Sequence, residues 1–578
     1  MRRIVLVAAL ALTVGAVSTF TQGQAPNRQP QDVQALLQAA AKNMGAENMK
    51  TLEYKITGMI AAPGQGFDPV PARLGDPEHW PRFVVTNYTK TIDFGTMSAR
   101  EQYTRTPPQL GTAFPGLDSS AAIHGNQSDP PFLHGGGFIQ DPTPRQIDSF
   151  ANGKVAWDMN GTTAARQWSY LNGIDAAEFR QLDILLNPFG FLHAALAPGA
   201  NPKFAPGGGR GGGPARVEMM ALGKYRVIGT INQNLVTDVQ TWIPVPISGD
   251  MRVSRSYTRW KNFGDLKYYT DVHSHYFDNG EQDDLQYRVL DAKANVAVPA
   301  NMFAVPAAVQ AATRPAVTVQ ATKLADGVWL MGGGSHNSVA IEFRDFVTVV
   351  EAPLNDERSQ AVIAEVHKTI PNKPIRYVVN THYHWDHSGG LRGYVAEGAQ
   401  IITHQENVEY YEKVLGGGSH KLMPDTLSKR EEATEATMNP RFVPVSNAPF
   451  FLTDHAFGSE IAGGKVMEIY YASGGSPAYT SHSEQMLVVY LPADKILINA
   501  DLYTPPAAGV QLRPFEMEGV VALGQIISQN KLNVGTHVPV HGQPGTQQQF
   551  AQILGGRVPP NSHGPLILPT PTSSSATR

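Results

Sequence analysis

The stretch Thr381-His382-Tyr383-His384-Trp385-Asp386-His387-Ser388-Gly389-Gly390 packs three histidines and one aspartate into six positions. Immediately before it, Ile375-Arg376-Tyr377-Val378-Val379-Asn380 is apolar and rich in β-branched residues, the pattern of a buried strand. The cluster therefore stands where a strand ends. In extended backbone His382 and His384 point the same way and can share one metal ion. Asp386 and His387 follow where the chain turns and can face a second. Ser388-Gly389-Gly390 lets the backbone turn closely beneath the site and enter a helix. Imidazole nitrogens with a carboxylate, and no thiolate, suit zinc first and iron or manganese next. A solvated His-rich loop would not require strand, ligands and glycines in this one order.

A His-x-His-x-Asp-His run after a strand, closed by a Gly-Gly turn, resembles the metallo-β-lactamase superfamily of metallohydrolases. The resemblance extends over residues 320–555. The most similar group comprises periplasmic hydrolases of this fold with an extra N-terminal domain. A dinuclear site needs a further histidine on each metal and a bridging carboxylate, and the family order says where to look. Gln485-Met486-Leu487-Val488-Val489-Tyr490-Leu491-Pro492 and Lys495-Ile496-Leu497-Ile498-Asn499-Ala500-Asp501 read as a strand hairpin. His482 lies just before the first strand and Asp501 at the end of the second, an order that resembles the family's His, strand, turn, strand and Asp. His541, in Val538-Pro539-Val540-His541-Gly542, resembles the last ligand, a His-Gly at a strand end. His537 lacks the following glycine and is expected to cap or pack. The resemblance thus implies His382, His384 and His482 on one zinc, Asp386, His387 and His541 on the other, and Asp501 between them. One departure stands out. Tyr479-Thr480-Ser481-His482 lacks the common Gly-x-x-His form, so the loop geometry there is its own. His455 is the competing histidine, but it lies too far upstream of the hairpin.

The expected mechanism follows from the metals. Two zinc ions about 3.5–4 Å apart bind a bridging water and lower its pKa toward ~7. The resulting hydroxide attacks an ester, lactone, amide or β-lactam carbonyl, while one zinc takes up the developing oxyanion charge. Asp386 orients the nucleophile and carries its proton. Two further residues are expected nearby. His336, in the hairpin loop Gly332-Gly333-Gly334-Ser335-His336-Asn337, can contact substrate, and Tyr503 can stabilise an oxyanion. His404 is expected to be structural. No Gly-x-Ser-x-Gly elbow is evident, and none is needed.

With 578 residues the chain is too long for one ordinary core, so two domains are expected. Net charge is −4, with no Lys/Arg block, which argues against a nucleic-acid surface. Met1-Arg2-Arg3 followed by apolar Ile4 to Val17 reads as a cleaved signal peptide within residues 1–25, too short to span a bilayer. Export to a bacterial periplasm, or secretion, is implied. There is no cysteine, hence no disulfide, no lipobox anchor, and no thiolate ligand for any metal.

Residues 26–304 alternate with period two between Gly, Asn and Asp turns, the signature of an antiparallel β-rich domain carrying a helix or two. Residues 305–319, rich in Ala, Pro and Thr, read as a linker. Residues 320–557 alternate strands with helices, which implies the αββα sandwich that the family resemblance also predicts. Residues 558–578 form a Pro/Ser/Thr-rich tail expected to be disordered. The Gly-rich run 205–214 lacks a phosphate-loop ending. His273 and His275 form a second His-x-His without a supporting carboxylate. The leading reading is an exported dinuclear zinc hydrolase acting on a small molecule. The alternatives are an iron-dependent redox member of the same superfamily and a non-enzymatic periplasmic carrier.

Overall fold

The computed structural model describes residues 32–70, 80–106, 143–171, 173–207, 213–277, 282–454, 456–457, 464–473, 482–507, 509–512 and 516–555. The residues expected to form a leader and a tail, the core of the Gly-rich run, Tyr479-Thr480-Ser481 and His455 lie outside this set.

Among the described residues the N-terminal part is built on a sheet of 13 strands, antiparallel throughout, whose centre is Thr51–Ala61 paired with Arg82–Asp93 on one side and Gln282–Ala294 on the other; Lys261–Phe263 with Leu266–Tyr268, and Ser169–Tyr170 with Ile174–Asp175, form two small sheets of their own. Helices Val33–Met44, Ala176–Leu186 and Pro188–Leu196 cover it. Their caps follow from sequence. Asp32 accepts from Gln34 N–H, Asp175 from Ala177 and Glu178 N–H, and Asn187 from Phe189 N–H. The sheet buries tyrosines, among them Tyr54, Tyr257, Tyr268, Tyr269 and Tyr287, and one ion triad in which Lys90 and Arg255 share Asp183. Tyr268 to Tyr276 reads in sequence as one strand but is two, Leu266–Tyr268 and Asp271–Phe277. Thr270 turns out of the ladder, its N–H and hydroxyl both bonding the Arg259 carbonyl. Residues 305–319 hold a short helix, Ala307–Ala311, whose Val309 packs on Phe150 and Trp157.

The C-terminal part is a mixed α/β sandwich. The first sheet runs Gln320–Ala325, Val328–Gly332, Ser338–Glu342, Val347–Val350, Ile375–Val379, Gln400–His404 and Phe442–Val445, antiparallel up to Val347–Val350 and parallel beyond. The second centres on Gln485–Leu491 and Ile496–Asn499, the expected hairpin, with Thr536–Pro539 added in parallel. Period-two alternation decides the layering. Leu487 and Val489 face Val328, Ile341 and Val379 of the other sheet, while Met486, Val488 and Tyr490 face helix Glu516–Gln529. Helices Asp356–Thr369 and Leu391–Glu397 pack on the outside of the first sheet. The result is the αββα order, preceded by a mainly antiparallel β domain. No helix of the described residues is long and apolar enough to cross a membrane.

Candidate metal centre

The donors gather where both sheets end. Strand Ile375–Val379 runs into Asn380 and Thr381, and His382 and His384 follow before the single helical turn Trp385–Ser388. His482 precedes Gln485–Leu491, Asp501 follows Ile496–Asn499, and His541 follows Thr536–Pro539. Two groups result. His382, His384, His482 and Asp501 present ligand atoms within 4.8 Å of one another, as do His336, Asp386, His387 and His541. Asp501 spans both. Its Oδ2 lies 2.7 Å from His482 Nε2 and 3.1 Å from His387 Nε2, and its Oδ1 lies 3.0 Å from His541 Nε2.

Several observations fit cations in these pockets. His384 Nδ1 is buried with no hydrogen-bond partner. Ring nitrogens face ring nitrogens, His482 to His382 at 3.2 Å and His541 to His387 at 3.3 Å. Two imidazoles that close need a shared proton or a shared ion. The far nitrogens are already committed, His382 Nδ1 to Thr381 Oγ1 at 3.0 Å and His387 Nδ1 to Glu351 Oε2 at 2.8 Å, as oriented ligands require.

The electrostatics agree. Burial holds His382 well below the ordinary imidazole range, with His387 and His384 pushing the same way. Burial, then His482, pushes His384 down to about 3. Both rings are therefore neutral, with a lone pair to offer. Burial works against the charged carboxylates, but the surrounding imidazoles together outweigh it, His387 foremost, with His336 beside Asp386 and His482 and His541 beside Asp501, and both carboxyls are held well below their usual range. His387 moves the other way. Burial lowers it, yet Asp501 and Asp386 raise it well above the usual value. Exposure grades across the site. His382, His384 and His387 are fully buried, whereas Asp386 is 25% and His541 33% exposed, so approach from solvent is on their side.

Sequence reasoning missed the supports. Glu351, fully buried at a left-handed φ of 74°, accepts from Thr381 N–H at 2.7 Å as well as holding His387. The only signal was a lone carboxylate after the apolar strand Val347–Val350. Arg358 donates to the Met331 and His336 carbonyls, both at 3.0 Å, and so anchors the hairpin loop. His336, expected to contact substrate, stands with the second donor group, its Nε2 3.4 Å from Asp386 Oδ2. Tyr503 packs edge-on against His537 and Phe550 in the core beneath helix Glu516–Gln529, its hydroxyl without a partner among the described residues. That position is outside both donor groups. His537 bonds Gln547 Oε1 at 2.7 Å, and His404 bonds Asn447 Oδ1 at 2.8 Å, both structural. His273 and His275 lie tilted to one another with ring centroids 4.2 Å apart, and neither belongs to a donor group of three or more among the described residues.

Asn337 ties the hairpin loop to the His541 loop. Its amide donates to the Gly542 carbonyl at 2.7 Å, and its backbone N–H to the Val540 carbonyl at 2.7 Å. Asn337→Ala is expected to cost ~1–3 kcal/mol of stability and to weaken metal binding at His541 by roughly tenfold. A thermal melt and a zinc titration check this; unchanged zinc affinity would show that the clamp does not position His541.

Residues 331–503 match the family model described as the metallo-beta-lactamase superfamily. Over 232 residues the chain is 26% identical to a linear primary-alkylsulfatase from a Pseudomonas species, covering 35% of this chain. It spans only 41% of that relative's length. Among solved structures, a metallo-beta-lactamase from Pontibacter korlensis is 19% identical, with 41% of this chain and 100% of that chain covered and a TM-score of 0.28. FIM-1 from Pseudomonas aeruginosa is 20% identical, with 42% of this chain and 97% of that chain covered and a TM-score of 0.28.

Proposed function

We propose, for a chain whose residues 331–503 are a metallo-β-lactamase-superfamily domain, that this protein is an exported dinuclear zinc hydrolase acting on an ester, lactone, amide or β-lactam bond of a small molecule. The observation that carries this reading is Asp501, one carboxylate facing both donor groups. His382, His384 and His482 would hold one ion, and Asp386, His387 and His541 the other, with Asp501 between them. His336 stands beside the second group as a further donor. Nitrogen and carboxylate donors without sulfur favour zinc, with iron and manganese as the nearest competitors.

When bound, such an ion pair supplies Lewis acidity at a polarised oxygen and a water acidified to about neutral pKa. The chain's own residues do the rest. Asp386 has one oxygen fixed by a hydrogen bond from Gln65 and the other facing His336. Its carboxyl sits well below the ordinary range, the combined pull of His387 and His336 outweighing burial. It is therefore better suited to orient the attacking water than to keep its proton, which passes on to the leaving group. His382, His384 and His387, buried and neutral or paired, keep bulk water from the inner side of the site.

The likeness to an alkylsulfatase supports a second reading of the same site, hydrolysis of a sulfate ester. Both readings are tested together. The purified mature protein is assayed for metal content and for turnover of a chromogenic β-lactam, an aryl ester, a lactone and a primary alkyl sulfate. Two zinc equivalents with turnover of a carbonyl substrate support the first reading, and sulfate release alone supports the second. One iron and no hydrolysis overturns both in favour of a redox enzyme. A co-purified apolar ligand without turnover would favour a carrier.

A further inference from the structure

We infer that residues 61–70 of the N-terminal β domain are a built-in part of this metal centre, fixing the ring of His384 and positioning Asp386. The inference rests on the metal-centre reading above and adds to it a second domain. Strand Thr51–Ala61 runs off the sheet into Ala62-Pro63-Gly64-Gln65-Gly66-Phe67-Asp68, which turns through a Gln65 N–H to Ala62 carbonyl bond of 3.3 Å. Gln65, Phe67 and Asp68 are buried.

Three contacts join this loop to the donors. First, His384 Nε2 lies 2.8 Å from the Gly66 carbonyl oxygen. A carbonyl can only accept, so the ring proton stays on Nε2 and the buried, unpartnered Nδ1 keeps its lone pair. His382 and His387 take the equivalent support from Thr381 and Glu351 of their own domain; His384 takes it from the other domain. Second, the Gln65 carboxamide donates to Asp386 Oδ1 at 2.7 Å. Third, the loop grips the segment that follows His482. The Phe67 carbonyl accepts from Glu484 N–H at 3.0 Å and from the Ser483 hydroxyl at 3.3 Å, and Asp68 Oδ2 accepts from the Gln485 amide at 2.8 Å. One loop therefore touches the segments bearing His384, Asp386 and His482.

The docking is specific to glycine at residue 64. Gly64 has φ +70°, its carbonyl accepts from Trp385 N–H at 3.2 Å, and a Cβ there would come within 2.2 Å of the Trp385 indole. The indole is pinned on its other side by Trp80, edge-on at 5.3 Å, and by its own bond to the Tyr410 hydroxyl. A side chain at residue 64 must therefore lift the loop. Because docking and metal binding share His384, each strengthens the other by the same factor.

The experiment uses the full chain. Zinc affinity is measured by competition with a chromophoric chelator for wild type, Gly64→Ala, Gln65→Ala and His384→Ala, with kcat and KM measured on whichever substrate turns over. Gly64→Ala is expected to weaken zinc binding about 10–100-fold. Gln65→Ala is expected to lower kcat with KM little changed, since it acts through Asp386. Hydrogen exchange in residues 61–70 is expected to rise when zinc is stripped from wild type. If Gly64→Ala fails to fold, Gln65→Ala and the exchange measurement decide. Wild-type zinc affinity in Gly64→Ala, or wild-type kcat in Gln65→Ala with loop exchange indifferent to zinc, overturns the inference. If His384→Ala also binds zinc as wild type does, it is the metal-centre reading itself that falls.

Discussion

Asp501→Ala is expected to strip at least one ion from the protein and to lower turnover by about 10³-fold or more. The carboxylate is within 2.7–3.1 Å of imidazole nitrogens of His482, His541 and His387, and 3.6 Å from His382. Among the described residues no other acidic group takes that central place; Asp386 lies on the open edge, and Glu351 sits behind His387. Removing Asp501 leaves ring nitrogens facing one another across 3.2–3.3 Å with nothing negative between them. Cations held there would lose their common ligand and meet only neutral donors and Asp386. Asp501→Asn keeps the shape and one carbonyl oxygen, so it is expected to fall between alanine and wild type. Metal content after dialysis, measured together with turnover, checks both variants. Two ions retained at wild-type affinity in Asp501→Ala would mean the carboxylate is not shared, and Asp501 as the link between the two donor groups would have to be abandoned.

The donors were legible because their pattern is local. Three histidines and an aspartate within six positions can only end a strand one way, and the hairpin Gln485–Leu491 with Ile496–Asn499 announces itself by its apolar runs and short turn. What surrounds the donors was not legible because it is a matter of distant pairings. Gly66 meets His384 across 318 positions and Gln65 meets Asp386 across 321. Nothing in Ala62-Pro63-Gly64-Gln65-Gly66 distinguishes it from an ordinary turn. His336 was placed near the metals by its hairpin, but its distance from Asp386 depends on Arg358 pulling down the loop carbonyls from a helix not adjacent in sequence. Tyr503 follows Asp501 closely in sequence, but the chain leaves Asn499 with its alternation broken, and the Tyr503 ring goes into the helix-side core with Leu502. The Tyr503 backbone N–H is caught by Asn499 Oδ1 at 2.9 Å, which fixes that direction.

Glu351→Gln separates support of a ligand from simple burial, because the substitution changes almost no volume. Glu351 Oε1 accepts from Thr381 N–H and Oε2 from His387 Nδ1–H, which leaves His387 Nε2 unprotonated toward the site when an ion is bound. A glutamine can keep one acceptor. If its oxygen stays on Thr381 N–H, its NH2 faces Nδ1 and drives the imidazole proton to Nε2, the nitrogen that should bind metal. If the amide flips, Thr381 N–H is left unpaired in a fully buried place, at a cost of ~1–3 kcal/mol. Neither orientation serves both partners. The expected outcome is a 10–100-fold loss of affinity for the more weakly held ion, with a corresponding loss of turnover at low metal that excess zinc restores. Stability of the metal-free protein should fall by no more than the cost of one unpaired group. Glu351→Ala is the contrasting case. It removes both acceptors, opens a cavity beneath the site and leaves a residue with a Cβ in the left-handed backbone at 351 without the hydrogen bonds that hold it there, so it should unfold at lower temperature whether or not zinc is present. Zinc titration of Glu351→Gln at neutral pH, read beside the melts of both variants, distinguishes the two effects. Wild-type zinc affinity in Glu351→Gln would show that the imidazole chooses its own tautomer and that Glu351 is there only to fill space and satisfy Thr381.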